Sequence, residues 1–162
     1  MPYQMKIDGM AEISELLDKM DKAAPGVAAQ ALYDGAGLMA DEIRRGAESI
    51  KTAPFRYANG GETRLPSPEE KEIVVAAGAG IAKFDKNGTE VNTSVGYRAS
   101  GYADLKGKKK PIPLIVNSIN SGTSFMQKQP FVRKAASSGA PKAMAAMKAK
   151  IEEAFEAITK ET

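Results

Sequence analysis

Small and apolar residues recur at helical spacing from Ala28 to Ile50: Ala28, Ala31, Leu32, Gly35, Leu38, Met39, Ile43, Ala47 and Ile50. A stripe of that period defines a long amphipathic helix with one buried face. Pro25 suits its first turn, where the missing N–H would have no intrahelical partner anyway. The spacing therefore predicts a helix over about residues 25–51. Much of the stripe is alanine or glycine, so some other element must pack close to it.

The remaining elements follow from the same kind of pattern. Residues 3–8, YQMKID, alternate apolar and polar and predict a short strand. Asp8 can cap a first helix whose stripe is Met10, Ile13, Leu16, Leu17 and Met20. SPEEKEIVVAAG predicts a short helix, with Ser67 as N-cap, Pro68 at the first position, Glu70 completing a capping box and Gly78 as the stop. Asn87-Gly88 marks a two-residue hairpin turn. Pairing across it sets Phe84 opposite Val91, Ala82 opposite Thr93 and Gly80 opposite Val95. IPLIVNSINSG predicts a short helix or turn ending near Gly122, and Pro130 opens a further helical turn. SSGAP breaks it, and a last helix from about Pro141 to Lys160 carries Met144, Met147, Ile151, Phe155 and Ile158 on one stripe. The expected fold is α+β: a small antiparallel sheet with a β-hairpin, packed against a long helix in the N-terminal half and a C-terminal helix. One domain over 1–162 is expected, with long loops at about 53–66 and 98–111.

Composition narrows the chemistry. The 162 residues include no Cys and no His. Disulfides, thiol nucleophiles, imidazole bases and Cys/His zinc sites are excluded. No Asp-x-Asp-x-Asp-Gly loop and no GxxxxGK[ST] phosphate loop is present. The adjacent carboxylates Asp41-Glu42, Glu69-Glu70 and Glu152-Glu153 do not face each other on a helix and read as solvated faces. The expectation is a protein that is not an enzyme and carries no cofactor or metal. No apolar run approaches the roughly 20 residues of a membrane span. MPYQMKIDGM lacks the shape of a signal peptide, so the cytoplasm is the expected compartment.

The net charge of +3 is unevenly laid out. Residues 1–42 hold three bases and eight acids; residues 91–140 hold eight bases and one acid. Complementary surfaces on one chain suit head-to-tail self-association. A basic region also suits nucleic acid, and Lys106, Lys108, Lys109 and Lys110 form the candidate contact for DNA.

One segment stands apart: SGTSFMQKQPFVRKA, Ser121 to Ala135. Gly122 can stop a helix, and Thr123 and Ser124 can hydrogen-bond back into a turn. Pro130 makes Gln129 extended, and Phe131 can anchor in the core. Phe125 and Met126 are expected to point outward, with Met126 as a plug for a neighbouring subunit's pocket. The segment resembles a signature, GTSxMxAQPFxRPA, of head-to-tail connection proteins of long-tailed phages and prophages, the tail-completion or neck type. Here it stands as Gly122, Thr123, Ser124, Met126, Gln129, Pro130, Phe131, Arg133 and Ala135. KIDGMAEISELLDKMDKAAPGVAAQAL is also similar, as a strand, a helix and a second helix entered through Pro25. The chain departs from the family at Asn120, where an acidic residue is common, and at Gln127 and Lys134, where prolines are common. The stretch 53–111 is longer and less familiar.

The resemblance implies structural work in a virion, assembled in the bacterial cytoplasm. Such a protein forms a ring, a hexamer to match the tail tube, where tube meets head. Its partners would be further copies of itself, the tail tube protein, the tail terminator and the head connector proteins. Gly122, Thr123, Ser124, Phe125, Met126, Gln129, Pro130, Phe131 and Arg133 would form its subunit or partner interface. Packaged DNA would be a non-specific contact of the lysine loop. Two alternatives are a tail terminator ring of the same machine and a small basic DNA-binding protein.

Overall fold

The computed structural model describes residues 10–83, 85–87 and 90–161. The strand expected at residues 3–8 lies outside them. The architecture is α+β, as expected. Among the described residues four helices, α1 (Met10–Glu48), α2 (Pro68–Ala77), α3 (Ile112–Ser121) and α4 (Phe131–Lys160), are joined by loops and short strands.

Two expected helix breaks are absent. α1 runs unbroken through Pro25, and α4 through Pro141. A proline inside a helix removes one hydrogen bond and crowds the carbonyl four residues back, at about 3 kcal/mol. Both prolines are exposed, and so are Asp21 and Ser137, whose carbonyls lose their partner. Water can take up those carbonyls, and the apolar stripe on the other side continues past each proline. At 39 and 30 residues, the helices are about 58 and 45 Å long at ~1.5 Å per residue.

α1 and α4 pack antiparallel, in the most extensive contact of the molecule. Gly35 faces Met147, Gly139 faces Met39 and Glu42, and Gly46 faces Phe131. A Cβ on Gly35 would lie 2.8 Å from Met147 Cγ, and one on Gly139 would lie 2.9 Å from Met39 Sδ. This is the close approach that the small-residue stripe demands. Ala31, Gly35, Ile43, Ala47 and Ile50 are buried as expected, whereas Ala28 and Leu38 are exposed.

The core sits at one end of this helix pair. Ile43, Ala47 and Ile50 of α1 and the turn after it meet Val74 of α2, Ile115, Val116 and Ile119 of α3, and Phe131 and Ala135 of α4. α2 has the expected capping box: Ser67 Oγ accepts from Glu70 N, and the Glu70 carboxylate accepts from Ser67 N.

Among the described residues, the strands form three antiparallel pairs in place of one small sheet. β1 (Gly80–Ile81) pairs with β4 (Val95–Gly96), and β2 (Asp85–Asn87) with β3 (Glu90–Asn92). The register differs from the expected one. Asn87 pairs with Glu90 as a strand residue, and Lys86 takes the place opposite Val91 that was expected for Phe84. In the outer pair Ile81, in place of Gly80, lies opposite Val95. A slip of one residue there changes which side chains share a face. The third pair, β5 (Tyr102–Leu105) with β6 (Lys108–Pro111), occupies the stretch expected to be a loop at 98–111. Lys106 and Gly107 have φ of 53° and 76°. Two consecutive left-handed residues make a tight hairpin turn. The segment 53–66 is a loop, as expected, apart from a parallel bridge between Arg64 and Met126.

Candidate functional site

The corner between α3 and α4 is built by the residues that set it apart in the sequence. Gly122 ends α3 at φ 74°. A Cβ there would lie 3.0 Å from Lys128 Cβ and 3.1 Å from its nitrogen, so both backbone angle and space require glycine. Thr123 Oγ1 accepts from the amides of Met126 at 3.0 Å and Phe125 at 3.3 Å, and Thr123 N donates to Met126 O at 3.0 Å. The Arg64 amide donates to Phe125 O and the Gln127 amide to Arg64 O, both at 2.8 Å. These bonds tie the corner to the 53–66 loop.

Gln129 works as a clamp. Its side-chain amide donates to Lys51 O and accepts from Lys51 N, both at 2.9 Å, and so locks the corner to the chain leaving α1. Pro130, at φ −78° and ψ 59°, is the centre of an inverse γ-turn closed by Phe131 N donating to Gln129 O at 2.8 Å. Phe131 is buried and meets Tyr97 edge to face, with 6.4 Å between ring centroids. Asn120 Oδ1 accepts from Val132 N at 3.1 Å, satisfying a first-turn amide of α4.

Phe125 and Met126 part company. Phe125 is 48% exposed, as expected. Met126 is 3% exposed and belongs to the core cluster, so it is not an outward plug. The reason is alternation: the bridge to Arg64 extends the chain here, so adjacent side chains take opposite faces. Ser124 and Arg133 are exposed, and Arg133 has no ion pair among the described residues.

Sequence reasoning missed the residue behind the corner. Arg64 is buried and makes a two-pronged ion pair with Glu70: Nη1 to Oε2 at 2.8 Å and Nη2 to Oε1 at 2.7 Å. Glu70 is therefore not part of a solvated face. Burial pushes its carboxyl up, but the hydrogen bonds from Arg64 and Ser67 and the arginine's charge outweigh this and hold it below the usual glutamate range. One carboxylate thus completes the α2 cap and neutralises the arginine whose backbone holds the corner. The capping box was readable; a cation six residues before Glu70 carries no periodic signal.

The lysine segment is ordered and divided. Lys106 Nζ lies 2.8 Å from the centroid of the Phe55 ring, over which the Arg64 guanidinium also sits at 4.9 Å. Cross-strand partners share a face, so Lys108 and Lys110 lie with Leu105 and Ala103, and Lys109 lies opposite Asp104 on the other face. The four lysines do not form one patch.

A cleft of about 1100 Å³ opens between the C-terminal ends of α1 and α2 and the β1–β4 pair. Arg44, Lys83 and Arg98 line it, and among the described residues no carboxylate does. Tyr97 also lines it; its hydroxyl is closed from solvent and has no hydrogen-bond partner among the described residues. Burial pushes this phenol up to about 12, against a small opposing effect of the Arg44 charge.

Among the described residues, no three Asp or Glu side chains come together as a metal site would require. No helix among them is long and apolar enough to cross a membrane. No family model, no curated protein and no solved structure matches this chain.

Proposed function

We propose that the protein is a structural component of a tailed phage or prophage that acts at the head-tail junction, as a tail-completion or neck subunit working through assembly. The observation that carries the reading is the corner. Five of the nine residues on which the resemblance rests, Gly122, Thr123, Gln129, Pro130 and Phe131, make a turn fixed to α1 and to the 53–66 loop. That turn holds Phe125 out on the surface. An aromatic side chain on a pre-ordered backbone is what an assembly contact needs, because little freedom is left to lose on binding. Splitting of the lysines between two faces lowers the support for a DNA-binding role.

The test is direct. Purified protein is mixed with tail tubes and imaged, and its mass in solution is measured by light scattering with and without tubes. Density capping one end of the tube is expected, and Phe125→Ala is expected to remove it with the melting temperature unchanged. Failure of the wild-type protein to bind tubes or joined tails would overturn the reading.

A further inference from the structure

The fold sorts charge more sharply than the sequence order does. Past the contact of Gly35 with Met147, α1 back to residue 10 and α4 on to residue 161 run away from the core cluster, and residues 10–34 and 143–161 make up a two-helix arm. The arm holds five bases and nine acids. Residues 35–142, the body, hold seventeen bases and ten acids. The C-terminal carboxylates Glu152, Glu153, Glu156 and Glu161 thus add to the acidic balance of the arm that the first 42 residues only begin. On the arm, Asp18 and Asp21 have no ion pair among the described residues. On the body, Lys83 and Arg98 have none either, and both line the cleft with Arg44.

We infer that the cleft lined by Arg44, Lys83 and Arg98 receives the acidic two-helix arm of a second copy of this chain. The inference rests on the assembly reading and names the surfaces it uses. Two observations favour a second copy over another anion. The chain itself carries the complementary carboxylates, on an element projecting from the core. The cleft is also large for a single ion, slightly beyond the roughly 300–1,000 Å³ of ordinary ligand pockets. Arg44 is half engaged: it pairs with Asp41 at 2.7 Å and approaches Gly78 at the carbonyl end of α2. Lys83 and Arg98 therefore carry the attraction. The contact joins two different surfaces, so it repeats head to tail and closes into a ring when the rotation permits.

Charge reversal on each side tests this on the full-length chain. Lys83→Glu with Arg98→Glu alters the cleft, and Asp18→Lys with Asp21→Lys alters the arm. All four positions are exposed, so the fold is expected to hold, which circular dichroism verifies. Sedimentation should show each double variant associating at least about tenfold more weakly than wild type. Mixing the two variants should restore assembly, because each arm then meets a cleft of opposite charge. Wild-type association should also weaken from about 0.1 M to 1 M salt. Wild-type assembly that both variants retain, or a mixture that fails to recover, overturns the inference and leaves the assembly reading in place. A wild-type chain that stays monomeric at every concentration also overturns it, while tube binding still tests the assembly reading separately.

Discussion

The same two helices hold the body and the arm together by different means. In the body, α1 and α4 close a core with α2 and α3, and the polar groups around the corner find defined partners. Arg64 meets Glu70, Gln129 meets the Lys51 backbone, and Thr123 meets two amides. At the base of the arm, α1 and α4 meet along a stripe of small and apolar residues such as Gly35, Met39, Gly139 and Met147. Polar cross-links between the helices, Lys142 and Ser138 to Glu42, sit where arm and body meet. The corner of the body is specified by paired polar groups. The helix pair leading into the arm is specified by shape.

The largest expected effect strikes the body. Glu70→Ala leaves a buried, uncompensated guanidinium and should cost about 3–5 kcal/mol in urea unfolding. Arg64→Met combined with Glu70→Leu should recover most of that. A double variant as unstable as the single one would mean that the pair stabilises the body by more than mutual neutralisation.

Acid titration sharpens the same point. Glu70 binds its proton more weakly folded than unfolded, so its contribution is present above the unfolded value of about 4.3. It is lost as pH falls through the lower folded value. Between about pH 5 and pH 3, wild-type stability should fall more steeply than that of Glu70→Gln. Parallel slopes would remove Glu70 as the acid-sensitive group.

At the base of the arm, Gly139→Ala sets two effects against each other. Alanine favours a helix over glycine by about 1 kcal/mol, but its Cβ would sit 2.9 Å from Met39 Sδ and 3.1 Å from Glu42 Cγ. Overpacking of about 1–3 kcal/mol should win, and thermal melting should show a net loss. A gain would mean that the helices part easily and that shape does not specify the helix pair leading into the arm. The smallest effect returns to the body. Tyr97→Phe removes an unpartnered buried hydroxyl and should leave stability unchanged or raise it by up to about 1 kcal/mol. A clear loss would show that the hydroxyl has a partner in solution.

Much of the fold was legible because it rests on period and on local chemistry. The α1 stripe, the α2 capping box, the Gly122 stop and the burial of Phe131 follow from spacing and from what glycine, proline and serine do to a backbone. The departures share a cause. Pro25 and Pro141 do not break their helices because the face that packs continues past them. Lys106-Gly107 forms a hairpin turn although it lacks the usual Asn-Gly or Asp-Gly signal. Met126 turns inward because Arg64, far earlier in the chain, lies alongside it. In each case, a contact beyond the local stretch settles what the local pattern leaves open.

By itself, the sequence determined that this chain is α+β, that its longest helix has a close neighbour, and that residues 121–135 form a special corner. Those are consequences of side-chain size, period and backbone freedom, which act over a few residues. Only the tertiary structure decided that Arg64 and Glu70 neutralise each other, that Phe125 faces out while Met126 faces in, and that two acidic helix segments from opposite ends of the chain share one arm. Burial and charge pairing depend on distance in space, and the chain brings these residues together only once it has folded.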